Sequence, residues 1–286
     1  MPSEIIQWFP GHMAKTRRLI SENLSEVDLL IEVLDARIPV SSRNPEIRRI
    51  AGDKPILTLL NKAGLASHEA NIAWRDEFTR RGEKAHLTDC TSGDGISSIP
   101  DAIRALLPEK TARYREKGMA GRHLRAMIVG IPNVGKSSLI NRLCGSKKAK
   151  VENRPGVTLS KQWIGTSIGL DLMDMPGVLW PKFEDQTVGE NLAFTGAIKD
   201  GVLDVEEIAM KLALRLARIA PDLFLARYKL KEEDILDRDG YDILEAVARR
   251  RGMLISGGEA DFTRAANMLL DEFRHATIGR ITLEMP

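Results

Sequence analysis

The segment Gly130–Ser138 has the residue types and spacing of a phosphate-binding loop. It matches the pattern G-x-x-x-x-G-K-[ST] at every fixed position. In such a loop the glycines let backbone N–H groups approach a phosphate chain, the lysine reaches the β- and γ-phosphates, and the serine hydroxyl binds Mg²⁺. The sequence therefore predicts a nucleoside triphosphate site with contacts from Asn133, Val134, Gly135, Lys136, Ser137 and Ser138.

Two further stretches supply metal-binding oxygens. Asp174 follows the strand-like run Leu170–Met173 and opens the sequence Asp-Met-Pro-Gly, which ends at Gly177. An acidic residue at a strand end beside a phosphate loop orders Mg²⁺, directly or through water. Thr158 lies in a charged segment that predicts a mobile loop, and its hydroxyl is a candidate ligand when a γ-phosphate is present. An ordinary loop threonine is the alternative.

The elements that must position these residues alternate between strand and helix. Leu124–Val129 and Pro55–Leu60 are continuous apolar runs, typical of strands buried on both faces of a parallel sheet. Such a pattern predicts an α/β fold with a doubly wound, mostly parallel sheet, whose ligand groups come from loops beyond the carboxyl ends of the strands. Loops of this kind hold Asn61, Lys62, Ala63 and Gly64, and also Asp89 and Cys90.

Composition narrows the protein class. The 286 residues carry a net charge of +2, with 43% hydrophobic residues and no apolar run long enough to span a membrane. Cys90 and Cys144 lie far apart, which fits the reducing cytoplasm better than a disulfide framework. We therefore expect a cytoplasmic protein without a membrane partner.

Charge is unevenly distributed. Residues 201–286 have a net charge of −3, so the rest of the chain carries +5. Clustered basic residues indicate a nucleic-acid partner, although a solvated surface with scattered charge is the alternative. The two clusters are Arg104, Lys110, Arg113, Arg115, Lys117, Arg122 and Arg125, and then Lys147, Lys148, Lys150, Arg154 and Lys161.

The last third of the chain predicts a different structure. Val205–Ala220, Asp242–Arg251 and Phe262–Arg274 are apolar at helical spacing. We therefore divide the chain into a nucleotide-binding domain with an N-terminal helix at residues 1–188 and a small helical domain at residues 189–286, which we expect to bind RNA or the ribosome.

The order of the motifs resembles a known family. The base-binding Asn61–Lys62 loop precedes the phosphate loop, whereas in an unpermuted GTPase the phosphate loop comes first. The chain therefore resembles circularly permuted GTPases and, in detail, the ribosome biogenesis GTPase A family. This finer resemblance covers nearly the whole chain and rests on Trp8–Met13, Asp35–Pro39, Ser42–Pro45, Gly130–Ser138, Pro155–Thr158, Asp174–Gly177 and Ser256–Gly258.

The resemblance implies Mg²⁺-dependent GTP hydrolysis coupled to docking on the RNA of a large ribosomal subunit precursor. A glutamine that orients water usually follows the D-x-x-G motif, but Val178 and Leu179 stand there. By the same match, His12 is a candidate for the missing catalytic role beside Lys136, and Asn133 matches a residue that binds K⁺. Taken alone, His12 is more typical of a structural or surface residue than of a catalytic one, and Asn133 is equally typical of a turn residue.

One departure from the family pattern concerns base recognition. The Asn-Lys motif normally ends in an aspartate that pairs with guanine, and this chain has Gly64. Two alternatives to an assembly GTPase therefore stay open. One is a nucleotide-dependent RNA-binding module with negligible hydrolysis, and the other is an NTPase of relaxed base specificity.

Overall fold

The computed structural model describes residues 11–119, 122–145, 162–166, 168–177 and 185–286, without the side chains of residues 11–16 and 162. Within these ranges six strands form a single sheet in the order β3-β2-β1-β4-β6-β5. All neighbouring strands are parallel except β5 and β6, which are antiparallel. The strands are β1 (Leu29–Asp35), β2 (Ile56–Asn61), β3 (Lys84–Leu87), β4 (Leu124–Val129), β5 (Gln162–Gly165) and β6 (Leu170–Asp174).

Helices cover both faces of this sheet, which confirms the doubly wound α/β prediction. Alternate residues of β1 face opposite ways, so Ile31 belongs to one buried cluster and Leu30 to another. Both faces are apolar because each packs against helices. The helices of this part are α1 (Gly11–Asn23), α2 (Pro45–Ala51), α3 (His68–Arg80), α4 (Ile99–Leu106), α5 (Pro108–Glu116) and α6 (Lys136–Cys144).

The C-terminal region is helical, as predicted. Aspartates at the N-caps of four helices accept hydrogen bonds from backbone N–H groups that the first turn would leave unpaired. The helices are α7 (Gln186–Phe194), α8 (Val205–Ile219), α9 (Pro221–Tyr228), α10 (Gly240–Arg250) and α11 (Phe262–Arg274). Their core, including Leu212 and Leu269, is continuous with the cluster on one face of the sheet. Helix α7 spans the proposed boundary at residue 188, and the division into two domains stays a prediction.

The chain ends by returning to the sheet. After α11, residues 280–284 lie along the loops that follow β2 and β1. Ser67 N donates to Thr282 Oγ1 at 3.1 Å, and Leu283 N donates to Arg37 O at 2.9 Å. The indole Nε1 of Trp74 donates to Glu284 O at 2.8 Å. The tail therefore holds the C-terminal region against the edge of the sheet where β1 and β2 end.

No helix among the described residues is both long enough and apolar enough to cross a membrane.

Candidate nucleotide-binding site

The phosphate-binding loop connects β4 to α6, as the sequence predicts. Its backbone adopts left-handed conformations at Asn133 (φ 60°) and at Gly135 (φ 98°), the residue before the first turn of α6. A Cβ atom added to Gly130 would lie 2.5 Å from Val33 O, and one added to Gly135 would overlap Asn61 Nδ2. Glycine is therefore required at both positions, and the loop can present N–H groups to an anion at the N-terminus of α6.

Lys136 lies at the centre of this loop. Its Nζ donates to Ile131 O at 2.8 Å and to Gly130 O at 3.2 Å. Burial disfavours the ammonium form and lowers the pKa of Lys136 to about 8, although the carboxylate of Asp174 acts in the opposite direction. The lysine is thus a buried cation aimed into the loop that would receive phosphate.

Asp174 and Gly177 lie beside the phosphate loop. Asp174 ends β6, pairs in register with Ile128 of β4, and is buried. A Cβ atom added to Gly177 would lie 2.9 Å from both Lys136 Nζ and Pro132 N. The Asp174–Gly177 turn therefore packs directly on the loop, with the carboxylate close enough to affect the pKa of the lysine.

Asn61 joins three segments that are distant in sequence. Its Nδ2 donates to Val134 O at 2.7 Å, and its Oδ1 accepts from Cys90 N at 3.2 Å and from Thr88 Oγ1 at 3.3 Å. The phosphate loop and the two loops predicted to bind the base therefore meet at one buried amide, as expected for loops beyond the carboxyl ends of parallel strands.

Lys62 is held beside Asn61 by ionic contacts. The residue has a left-handed backbone (φ 61°), and its Nζ lies 3.0 Å from Asp35 Oδ2. Burial lowers the pKa of Lys62, and the Asp35 carboxylate opposes that effect. Burial alone would raise the pKa of Asp35, but the charges of Arg37 and Lys62 and the hydrogen bonds from Arg37 hold it well below its usual range. Asp35 thus orients the lysine that the sequence assigns to the base.

The loop after β3 closes the base side of the site. Strand β3 ends at Leu87, so Asp89 and Cys90 belong to the loop that follows it. Arg142 of α6 donates through Nε to Cys90 O at 2.8 Å and through Nη2 to Thr91 O. Burial, with the nearby Asp89 charge, raises the pKa of the Cys90 thiol to about 12, so that side chain is not a nucleophile.

The C-terminal region contacts both sides of this site. On the phosphate side, Asn133 Nδ2 donates to Gly196 O at 2.6 Å. On the base side, Arg280 donates to Ala63 O and Ala66 O, both at 2.9 Å. Sequence reasoning missed Arg280 because an isolated arginine near the chain end carries no pattern that relates it to a loop 214 residues earlier.

Arg274 and Arg37 form a second connection between the two regions. Arg274 donates to Phe194 O at 3.0 Å and Ala193 O at 2.9 Å, and pairs with Asp200. Its own carbonyl oxygen accepts from Arg37 Nη1 at 3.2 Å. Since Arg37 also binds Asp35, the contacts run from the helical region to the residue that holds Lys62.

The structure does not describe the side chains of two predicted site residues. The fold places His12 in the first turn of α1, but its side chain lies outside the described set. Thr158 lies outside the described residues altogether. Among described residues, no three His, Cys, Asp or Glu side chains are grouped as a metal site. The oxygens that fit Mg²⁺ are those of Ser137, which follows the first residue of α6, and buried Asp174.

Comparison with known proteins gives concordant matches. Residues 125–235 match the model of the family described as "50S ribosome-binding GTPase". Ribosome biogenesis GTPase A of Priestia megaterium is 46% identical and covers 98% of this chain and 97% of its own length. The Bacillus cereus protein of that name is 43% identical over 99% of this chain and 94% of its own.

A solved structure agrees at the level of the fold. GNP-bound YlqF from T. maritima superposes with a TM-score of 0.65 at 24% identity, covering 95% of this chain and 98% of that chain. The similarity in sequence extends over nearly the whole length of both relatives, and the glycines, lysine and asparagine of the nucleotide site converge in space. The chain belongs to the ribosome biogenesis GTPase A family of circularly permuted GTPases.

Proposed function

We propose that this protein hydrolyses GTP during assembly of the large ribosomal subunit, and that docking on the precursor and its ribosomal RNA accelerates turnover. The observation that carries the proposal is the meeting of three parts of the chain at one edge of the sheet. Asn61 joins the phosphate loop to the base loops, and Gly177 of the Asp174 turn packs against the phosphate loop. Such an arrangement binds a nucleotide in one orientation, with its phosphates at the N-terminus of α6.

The phosphates and the base have separate sets of contacts. Lys136 and the backbone of the phosphate loop bind the phosphates, with Gly177 packed against them. Lys62 covers the base, and the backbone N–H of Cys90, which donates to Asn61 Oδ1, would share its hydrogen with a base oxygen. The assigned nucleotide contacts are Asn61, Lys62, Ala63, Gly64, Asp89, Cys90, Asn133, Val134, Gly135, Lys136, Ser137, Ser138 and Gly177.

Two cations fit this site. Ser137 and Asp174 would hold Mg²⁺, with Thr158 as a further ligand in the triphosphate state, and this ion neutralises charge on the phosphates. Asn133 is assigned to K⁺. Its Nδ2 donates to Gly196 O, so the oxygen of the amide is the atom that would bind the cation.

We assign His12 to the water-orienting role that a glutamine has in other GTPases. Val178 and Leu179, not a glutamine, come directly after Gly177 in the sequence. His12 opens helix α1, which packs on the sheet beside the Asp174 turn, because Ile20 of α1 belongs to the same buried cluster as Met173 and Met175. Lys136 stabilises the negative charge that develops on the phosphates. Low turnover in the free protein follows if His12 is oriented only after docking.

An exposed basic surface suits the RNA partner. Arg113, Arg115 and Lys117 lie exposed on and just after α5. At its margin, Arg125 stacks on Trp163 with 5.2 Å between the guanidinium carbon and the ring centre. Cations interleaved with an exposed aromatic ring bind phosphates and stack on unpaired bases. The second predicted cluster, Lys147–Lys161, lies outside the described residues.

Stimulated hydrolysis provides the test. Phosphate release would be measured with and without large ribosomal subunits, for wild type, His12→Ala and the surface control Arg75→Ala, an exposed residue of α3. We expect subunits to stimulate wild type and Arg75→Ala strongly and His12→Ala little. A wild type that subunits do not stimulate would contradict the proposal and favour an RNA-binding module with negligible hydrolysis. Competition by ATP with an affinity equal to that of GTP would favour an NTPase of relaxed base specificity.

A ribosomal partner and the free thiols of Cys90 and Cys144 fit a cytoplasmic protein.

A further inference from the structure

Gly64 leaves the base-binding motif without its usual carboxylate, yet a carboxylate occupies that space. A Cβ atom added to Gly64 would lie 2.5 Å from Asp89 Oδ2 and 3.4 Å from Asp89 Cγ. The direction in which a side chain at position 64 would extend therefore points at the Asp89 carboxylate. Asp89 comes from the other base-binding loop, 25 residues later in the chain.

The hydrogen bonds of Asp89 fix the orientation of its two oxygens. Oδ1 accepts from Thr91 N at 2.7 Å and from Ser92 N at 3.1 Å. Oδ2 accepts from Gly64 N at 2.9 Å. A carboxylate oxygen has two lone pairs, so these bonds fill Oδ1 and leave one acceptor position on Oδ2.

The surroundings of Oδ2 belong to the base site. Gly64 is exposed to solvent although Asp89 itself is only 6% exposed, so the glycine leaves space beside the carboxylate. Lys62 lies two residues before Gly64, and Cys90 comes directly after Asp89; both are assigned to the base side of the site. A larger residue at position 64 would displace the carboxylate, so Gly64 and the aspartate at position 89 depend on each other.

We propose that Asp89 makes the guanine contact that an aspartate at position 64 would otherwise make, with Oδ2 accepting a hydrogen bond from the 2-amino group of the base. The proposal rests on the assignment of this site to GTP. In this chain the specificity-determining carboxylate has moved from one base loop to the other. Gly64 therefore does not relax base choice, because the negative charge that selects guanine over adenine is retained.

Titration of the wild-type protein with GDP, inosine diphosphate and ADP is the first test. Inosine lacks only the 2-amino group of guanosine. Since a hydrogen bond to a charged group is lost, we expect inosine diphosphate to bind about 10- to 150-fold more weakly than GDP. Equal affinities for these two, with ADP weaker, would overturn the role of Asp89 and leave the GTP assignment intact. Equal affinities for all three would overturn both.

Moving the carboxylate is the second test. Asp89→Ser removes the charge, but its hydroxyl can still accept from the turn N–H groups. We expect the preference for GDP over inosine diphosphate to fall to near one in Asp89→Ser and to return in Gly64→Asp/Asp89→Ser. Gly64→Asp alone should bind GDP poorly, because two carboxylates would compete for one space.

Asp94→Ser is the matched control, since Asp94 is an exposed carboxylate of the same loop that bonds Ser92 Oγ at 2.8 Å. Its preference for GDP over inosine diphosphate should equal that of wild type. Thermal unfolding would verify that each variant folds, and the wild-type titration decides the question if Asp89→Ser does not. A uniform loss of GDP, inosine diphosphate and ADP affinity in Asp89→Ser would assign Asp89 a purely structural role and overturn the proposal.

Discussion

Asn61 and Val134 are 73 residues apart in the chain, and the Asn61 amide nitrogen donates to the Val134 carbonyl oxygen at 2.7 Å. This bond crosses from β2 to the phosphate loop, while the amide oxygen of Asn61 binds Cys90 N in a third segment. One buried side chain thereby sets the distance between the phosphate and base ends of the site. Its removal should change nucleotide affinity without changing base preference.

Asn61→Ala is therefore expected to weaken the binding of GDP and of inosine diphosphate by the same factor, about 10- to 100-fold. Each lost buried hydrogen bond costs about 1–3 kcal/mol when its partner is left unpaired. Calorimetric titration would measure the affinities. Asn23→Ala is the matched control, because Asn23 Nδ2 also donates to a backbone carbonyl, that of Leu19, at the end of α1 and before β1 begins. If Asn61→Ala binds GDP as wild type does, the joining role is wrong.

The sequence predicts those parts of the site whose residues form a recognisable pattern within one short segment of the chain. A strand, a glycine-rich turn and a helix opening identify the phosphate loop, and β4 and α11 have the predicted bounds. Parallel strands bring their carboxyl ends to one edge, so convergence of Asn61, Asp174 and Lys136 also follows from the fold class.

Elements without apolar periodicity were missed. Helix α5 has no buried residues, so its sequence gives only a charge signal. The antiparallel edge strand β5 has four residues, too few for an alternation pattern. The start of helix α9 is predictable from the sequence, because Pro221 and Asp222 are residue types favoured in the first turn of a helix. The contact of Asp89 with Gly64 depends on loop packing that no spacing rule predicts.

Lys136 should give nucleotide affinity and protein stability opposite pH dependences. In the free protein its pKa is about 8, below the ordinary 10.5, so the unfolded state binds more protons between these values. The free energy of unfolding therefore gains up to about 1.4 kcal/mol per pH unit over that range. GDP binding needs the ammonium form, so its affinity should fall by up to about tenfold per unit above pH 8.

Proton uptake provides the measurement for this effect. Titration of GDP into the protein at pH 8.5, in buffers with different ionisation enthalpies, should show protons taken up on binding. Denaturant unfolding of wild type and Lys136→Met across pH 7.5–10 should show a steeper rise in stability with pH in wild type, because Lys62, whose pKa is also lowered by burial, contributes equally in both proteins. Flat GDP affinity from pH 7.5 to 9.5, without proton uptake, would contradict the shifted pKa.

Asn133→Ala should remove any advantage of K⁺ over Na⁺ in GTP turnover. The residue has a left-handed backbone and binds Gly196 O, so alanine also loses a contact with the helical region. Asn133→Asp keeps an oxygen in place and should retain a K⁺ response, although it cannot donate to Gly196. Phosphate release in matched K⁺ and Na⁺ buffers would compare the three proteins. Wild-type turnover that is the same in both salts would refute the K⁺ assignment.

Arg280→Ala tests whether the chain end stabilises the base loop. Arg280 donates to Ala63 O and Ala66 O, and neighbouring Ile281 N donates to Leu65 O at 3.3 Å, so the tail fixes the backbone that carries Lys62 and Gly64. Losing two charge-assisted bonds, one of them exposed, should cost about 1–2 kcal/mol of stability and reduce GDP affinity about 3- to 10-fold.

Arg238→Ala, on the exposed surface of the helical region, is the control and should change neither quantity. Arg280 follows α11, the last helix of the helical region, so this contact links that region directly to the base loop. GDP affinity in Arg280→Ala that equals wild type, with stability lowered as expected, would restrict the tail to a structural role.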